Sequence, residues 1–175
     1  HLPIDVSTLP VDMVALPGHK GLMGPQGTGA LYVSPALELR PLMQGGTGSY
    51  SDLLTQPEAY PDHLESGTLN TPGLSGLAAG IAWRRGEFAR IHAAEQQVLG
   101  LLVRGLARIP GVWLLGETAM PRCGVVAFNI RRHPSGDVAD LLSERYGIAV
   151  RGGLHCAPLV HRHYGTLEQG AVRVS

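Results

Sequence analysis

Residues 87–107 carry Ile91, Ala94, Val98, Leu101, Leu102 and Leu106 near helical spacing, and apolar runs of strand length stand on both sides of them. That alternation constrains the fold more than any other feature. Residues 13–16, a short apolar run before Pro-Gly, read as a buried strand. Residues 30–33, 112–115, 124–130 and 148–151 read as further strands, and the chain's last residues, 171–175, as a strand cut short. Residues 74–83 read as a small-residue helix packed tightly on its neighbours. Asp137 is placed to cap a third helix that runs through Arg145 and stops at Gly147. Helices alternating with strands predict an α/β fold. The helix over 87–107, closed by Pro110-Gly111, is expected to bridge two domains, residues 1–85 and 86–175.

Two stretches are loops. Residues 21–29 hold a glycine-rich turn, and residues 44–72 are rich in Gly, Ser, Thr and Pro. A structureless stretch as long as the second is usually functional in a compact domain. No internal repeat or low-complexity tract breaks the pattern. The formal net charge is zero, so no electrostatic footprint for nucleic acid or a membrane surface is expected. No apolar run reaches the ~18 residues that span a bilayer. Residue 1 is His, and the opening residues read as mid-chain sequence, so the chain is expected to be a piece of a longer protein.

The chain has thirteen Arg and a single Lys, Lys20. Arg supplies the general positive charge, and the one ammonium stands among glycines. Lys can shed its proton and act as an amine, which Arg cannot. An amine of that kind needs a fixed position, which a strand end supplies, and a partly dry, glycine-lined pocket that disfavours the charged form. A phosphate-binding P-loop is excluded, because Lys20 precedes the glycine run and no Lys-Ser or Lys-Thr occurs. Local spacing alone leaves a surface lysine in a flexible turn equally open.

The two cysteines, Cys123 and Cys156, make no disulfide framework and fit a reducing compartment, most simply the cytoplasm. Cys156 lies in Arg151-Gly152-Gly153-Leu154-His155-Cys156-Ala157-Pro158. A catalytic thiol must be accessible and able to reach its target; here the glycines would give freedom, and Arg151 and His155 positive potential. A small buried cysteine is the ordinary alternative. A metal site is not expected, because His155, Cys156, His161 and His163 match no standard zinc spacing. Cys123 reads as structural, and His133, His161 and His163 as surface or loop residues.

Gly18-His19-Lys20 followed by Gly24-Pro25-x-Gly27-x-Gly29-Ala30-Leu31-Tyr32-Val33 resembles the cofactor-lysine segment of class V aminotransferase-fold enzymes. Glu65-Ser66-Gly67-Thr68-Leu69-Asn70-Thr71 resembles their E-x-G-T-x-N-T segment. The Cys156 segment resembles the R-x-G-x-H-C-A-x-P motif of group II cysteine desulfurases and selenocysteine-lyase-like proteins. Gly170-Ala171-Val172-Arg173-Val174 resembles the strand whose arginine binds the substrate carboxylate. The chain departs from these patterns at Pro17, where many relatives carry Ser, at Leu154 in place of a frequent His, and where Ala157 runs directly into Pro158.

The resemblance implies the C-terminal part of a fold type I, pyridoxal 5'-phosphate (PLP) dependent enzyme. Residues 1–85 would end its large PLP-binding domain, and residues 86–175 would form most of its small α/β domain. Lys20 would bond to PLP. His19 would contact the phosphate, and Thr68 would reach the phosphate of a partner subunit in a homodimer. Cys156 would accept sulfur from L-cysteine or selenocysteine as a persulfide, for delivery to an acceptor protein. Arg173 would bind the substrate carboxylate, with Arg151 and His155 beside the site. The cofactor aspartate, the residue stacked on the ring and an N-terminal phosphate loop would precede His1, so the chain alone is expected to be inactive. Another class V activity (aminotransferase, epimerase or lyase) and a non-catalytic remnant are the competing readings.

Overall fold

The computed structural model describes residues 3–116 and 122–175 and divides into two compact units, Pro3–Phe88 and the described part of Ala89–Ser175. In the first unit β1 (Met13–Pro17) pairs antiparallel with β2 (Gly29–Val33), from Met13 opposite Val33 to Pro17 opposite Gly29. β1 is not a buried strand. Its exposure alternates, with Val14 and Leu16 half-buried and Met13, Ala15 and Pro17 exposed, as a two-stranded sheet covered on one face requires.

The long loop after β2 ends at α1 (Thr71–Leu106), a single helix where the sequence suggests two. Asn70 starts it: its side-chain oxygen accepts the Gly73 N–H (3.1 Å). Gly86 does not break it. A helical glycine costs only ~1 kcal/mol, and the Arg84 guanidinium, 4.6 Å from the centre of the Phe88 ring, bridges the position.

In the second unit β3 (Val112–Leu114), β4 (Val126–Ile130) and β5 (Val172–Val174) form an antiparallel sheet with β4 central. Leu99 and Val103 of α1 pack with Val126 under this sheet, and Leu102, Leu106 and Leu114 close the cluster. Val98 and Leu101 are mostly exposed, so the buried stripe lies on a neighbouring face from the one the spacing picks out. α2 (Ser135–Tyr146) places Val138 against Phe128 and Val172. Burying side chains of this size stabilises by ~1.5–3 kcal/mol each.

α2 begins two residues before Asp137, which sits in its first turn and does not cap it. Its carboxylate faces the helix's positive end there. Gly147 does stop the helix, in a left-handed conformation (φ 65°) with the Ile148 N–H donating to the Leu142 carbonyl (3.0 Å). Residues 148–151 do not form a strand. Only Arg151 pairs, in an isolated antiparallel bridge to Arg173. A short helix, α3 (Pro158–His163), follows the Cys156 turn.

Candidate active site

β1 ends at Pro17 and the chain turns at once through Gly18, His19 and Lys20. The Gly18 N–H donates to the Thr28 carbonyl (2.8 Å), and the Gly24 N–H donates to the Gly18 carbonyl (2.8 Å). The Thr28 hydroxyl donates to the Pro25 carbonyl (2.6 Å). A Cβ at Gly18 would stand 2.8 Å from the Thr28 carbonyl oxygen, so only glycine lets the two backbones approach this closely.

The other side of the loop rests on α1. A Cβ at Gly80 would lie 2.7 Å from the carbonyl oxygens of Leu22 and Met23, and one at Gly76 would lie 3.2 Å from Pro25. The small residues of this helix therefore form the bed of the lysine loop. His19 and Lys20 themselves are exposed. Within this unit the glycines close the loop upon itself and upon α1 and leave the amine uncovered.

Thr68 is exposed on the long loop, just after Gly67, whose N–H donates to the Gly46 carbonyl (2.8 Å). Two side chains brace this loop that the sequence reading passed over. Gln56 accepts the Gly45 N–H (3.1 Å) and donates to the carbonyls of Asp62 (2.6 Å) and Glu65 (2.9 Å). Both ring nitrogens of His63 face carbonyls, those of Pro57 and Leu39, each at 2.8 Å. An imidazole satisfies two acceptors only when it carries both protons. The Leu39 and Pro57 carbonyls accordingly raise its pKa above the ordinary 6.5.

The second unit builds the thiol turn by bringing Arg173 to Arg151. The Arg151 N–H donates to the Arg173 carbonyl (3.1 Å) and the Arg173 N–H donates back (2.8 Å). Gly153 and Ala171 exchange the next pair, at 3.1 and 3.0 Å. The Arg173 Nε–H is buried and meets no acceptor among the described residues, so part of this guanidinium is unspent. The glycines do not supply looseness here. A Cβ at Gly152 would lie 2.5 Å from the Ser135 carbonyl oxygen, and the Gly153 N–H donates to the Ser135 hydroxyl (3.0 Å).

Ser135, 2% exposed, is the hub. Its hydroxyl also donates to the Gln169 carbonyl (2.7 Å), while buried Asn129 donates to the Gly170 carbonyl (2.8 Å). Asn129 was legible as a lone amide in an apolar strand, because a buried polar group needs a partner. Nothing in the spacing marked Ser135.

From this base the chain enters two successive left-handed residues, His155 (φ 54°) and Cys156 (φ 59°). Such conformations cost non-glycine residues of order 1 kcal/mol each and cluster at functional sites. Cys156 is exposed at this turn. His155 Nε2 lies 2.9 Å from the Arg151 carbonyl. Partial burial, then Arg173, His161 and Arg151, outweigh that carbonyl and hold the His155 pKa below 6.5. His155 is therefore neutral near pH 7 and donates its Nε2 proton. The positive potential at the turn comes from the two arginines, not from His155 as the sequence reading had it.

Two more side chains differ in burial, and the surface reading of His161 is corrected. Cys123 is exposed, because it lies in the segment leading into β4 and not within it. His161 is buried, 4% exposed, because α3 turns it inward. Two hollows among the described residues lie apart from these turns. One of about 780 Å³ is lined by β2 residues with Tyr60, Pro61 and Leu64, and one of about 540 Å³ by Trp113, Arg131, Arg132 and Gln169. Neither is lined by Lys20 or Cys156.

A strand-end lysine on a glycine-braced turn and an exposed thiol on a strained, arginine-based turn, within an α/β fold, define a class of protein, and comparison with known proteins agrees. The family model Aminotransferase class-V matches residues 1–175, and the chain belongs to that family. It is 38% identical to a probable cysteine desulfurase of Methanothermobacter thermautotrophicus, over all of this chain and 45% of that protein. It is 39% identical to a cysteine desulfurase of Salmonella newport, over 94% of this chain and 41% of that protein.

Among solved structures, the apo cysteine desulfurase of Thermococcus onnurineus matches with a TM-score of 0.75 and 29% identity, covering 97% of this chain and 43% of that one. A cystine C-S lyase in complex with cysteine persulfide matches with a TM-score of 0.69 and 26% identity, over 99% of this chain and 44% of that one. The chain thus spans less than half the length of the relatives it matches. The family is one of enzymes, its cofactor is PLP, and the fold is the expected one. No helix of the described residues is long and apolar enough to cross a membrane.

Proposed function

We propose that the full-length protein is a cysteine desulfurase that moves the sulfur of L-cysteine onto Cys156 and releases L-alanine. The observation that carries this reading is the exposed Cys156 on consecutive left-handed residues, with Arg151 and Arg173 bridged at its base. A plain PLP transaminase needs no such thiol.

The residues fit the cofactor and its substrate: Lys20 offers an exposed primary amine on a braced turn, and Arg173 a guanidinium whose Nε–H meets no acceptor among the described residues. When bound, PLP supplies an electron sink at the substrate's Cα. Lys20 holds the cofactor, and its freed amine takes the Cα proton. His19 and, from the neighbouring subunit of a homodimer, Thr68 hold the phosphate. Arg173 orients the substrate carboxylate by parallel hydrogen bonds, and Arg151 adds positive potential. The Cys156 thiolate attacks the substrate sulfur. An S–S bond forms as the Cβ–S bond breaks, and the bonding pair stays on Cβ, which takes a proton to become the methyl group of alanine. The persulfide sulfur then passes to an acceptor, in a cytoplasmic setting. Residues 1–85 and 86–175 serve as the end of the large domain and the small domain respectively.

Cys156→Ser in the full-length protein tests this. It should keep the PLP absorbance and bind L-cysteine yet lose persulfide and sulfide production, while Cys123→Ser stays within a few-fold of the parent. Full desulfuration by Cys156→Ser would replace this reading with a second one, a C-S lyase that releases sulfur without an enzyme thiol. The likeness to the cystine lyase favours that alternative.

A further inference from the structure

His161 stands outside the chemistry just described, yet it is the buried side chain behind the thiol turn. It is 4% exposed and Thr166 is 1% exposed. Its Nδ1 is 2.8 Å from the Thr166 hydroxyl. The Thr166 N–H donates to the His161 carbonyl at 2.8 Å, so the two residues are tied at both backbone and side chain. The His161 ring lies 5.8 Å, centre to centre, from the ring of His155, inclined at 40°. His155, the first of the left-handed pair that presents Cys156, in turn reaches back over residues 152–154 to the Arg151 carbonyl (2.9 Å).

We infer that His161, locked by Thr166, is a positioning residue for Cys156, acting by holding the His155 imidazole against the Arg151 carbonyl so that the left-handed turn persists. The inference rests on the proposed role of Cys156. Two left-handed residues in succession revert to ordinary backbone unless their surroundings over-determine them. The Ala157 N–H donates to the Leu154 carbonyl (2.9 Å) across the pair; the His155 hydrogen bond is the side-chain tie that anchors the pair's first residue, and the buried ring behind it limits how far the imidazole can swing. The charged and titratable groups facing His155 are Arg151, Arg173 and His161. His161 is one of the groups that keep His155 neutral, and a neutral ring has one proton, spent on the Arg151 carbonyl.

The test uses His161→Leu and the near-isosteric Thr166→Val in the PLP-loaded full-length protein. Both should keep the cofactor absorbance and the KM for L-cysteine. Both should lower kcat, with a roughly tenfold loss for His161→Leu, the scale of one lost hydrogen bond. Alkylation of Cys156 at fixed pH should change in the same variants, and the NMR titration of His155 should move up toward 6.5 in His161→Leu. Parent-like kcat, alkylation and titration in both variants would overturn the inference. If His161→Leu loses the cofactor, Thr166→Val decides: an intact cofactor with parent-like kcat and alkylation overturns the inference, and a lowered kcat upholds it. Failure of the desulfurase reading is read separately, from Cys156→Ser, because alkylation and titration report the turn whatever reaction it serves.

Discussion

At the scale of single residues, Lys20 and His155 show two ways in which surroundings set chemistry. Lys20 owes its place to glycines that let Thr28 and Leu16 approach the turn, not to any side chain that touches it. Borohydride reduction of the PLP-loaded protein should therefore leave the pyridoxyl group on the peptide containing Lys20, and Lys20→Ala should lose it; peptide mapping checks both. His155 is the opposite case, with its charge state set by neighbours. Its folded pKa lies below 6.5, so the stability it contributes is fully present above pH 6.5 and is lost as pH falls toward the depressed value. An NMR titration should find its midpoint below 6.5, and amide exchange at residues 154–157 should quicken as pH falls through that window. His63 has the reverse sign. Its pKa is raised, so its two hydrogen bonds are intact below pH 6.5 and one fails as pH rises through the raised value. Limited proteolysis within residues 39–63 should become faster toward alkaline pH in the parent, and should lose that dependence in His63→Gln.

At the scale of elements, the glycines of α1 do unlike things although a helix average treats them alike. Gly80 faces two carbonyl oxygens at 2.7 Å, and Gly86 faces nothing within 4 Å. Gly80→Ala should destabilise the full-length protein by ~1–3 kcal/mol, since the obstacle is backbone and cannot rotate away. Gly86→Ala should stabilise it by up to ~1 kcal/mol, through helix propensity alone. Denaturant midpoints moving in opposite directions would bear this out. The same distinction explains the thiol loop. Gly152 reads as freedom in the sequence, but the Ser135 main chain occupies the space a Cβ would need. Ser135→Ala removes one of the two acceptors of the half-buried Gly153 N–H, which keeps the Ala171 carbonyl, and should cost ~0.5–1.5 kcal/mol. α1 itself read as two helices because small residues and an amphipathic stripe look like different objects. They are one helix whose halves belong to different units.

At the scale of the whole molecule, each unit carries apolar side chains that it does not cover. Leu42, Leu54, Val98 and Leu101 are 95, 103, 63 and 60% exposed. Large apolar patches signal partner surfaces or aggregation, so residues 1–175 purified alone should bind a hydrophobic dye and self-associate. The full-length protein should sediment as a dimer; a fully active monomer would contradict the placement of Thr68 at a neighbour's phosphate. The sequence by itself determined what is local. β1, β2 and the core strands 112–114 and 126–130 follow from apolar runs between turn residues, Gly147 from its need for a left-handed stop, and the lysine and thiol motifs from residue order. Only the tertiary structure decided what depends on distant pairing. Arg151 lies beside Arg173 because residues 151 and 153 pair with 173 and 171 across a long separation, and that pairing replaces the strand expected at 148–151. His161 is buried and His155 neutral because α3 folds back beneath the turn. A residue's spacing reports its own element's period, but burial and charge state are set by whatever the chain brings against it from far along the sequence.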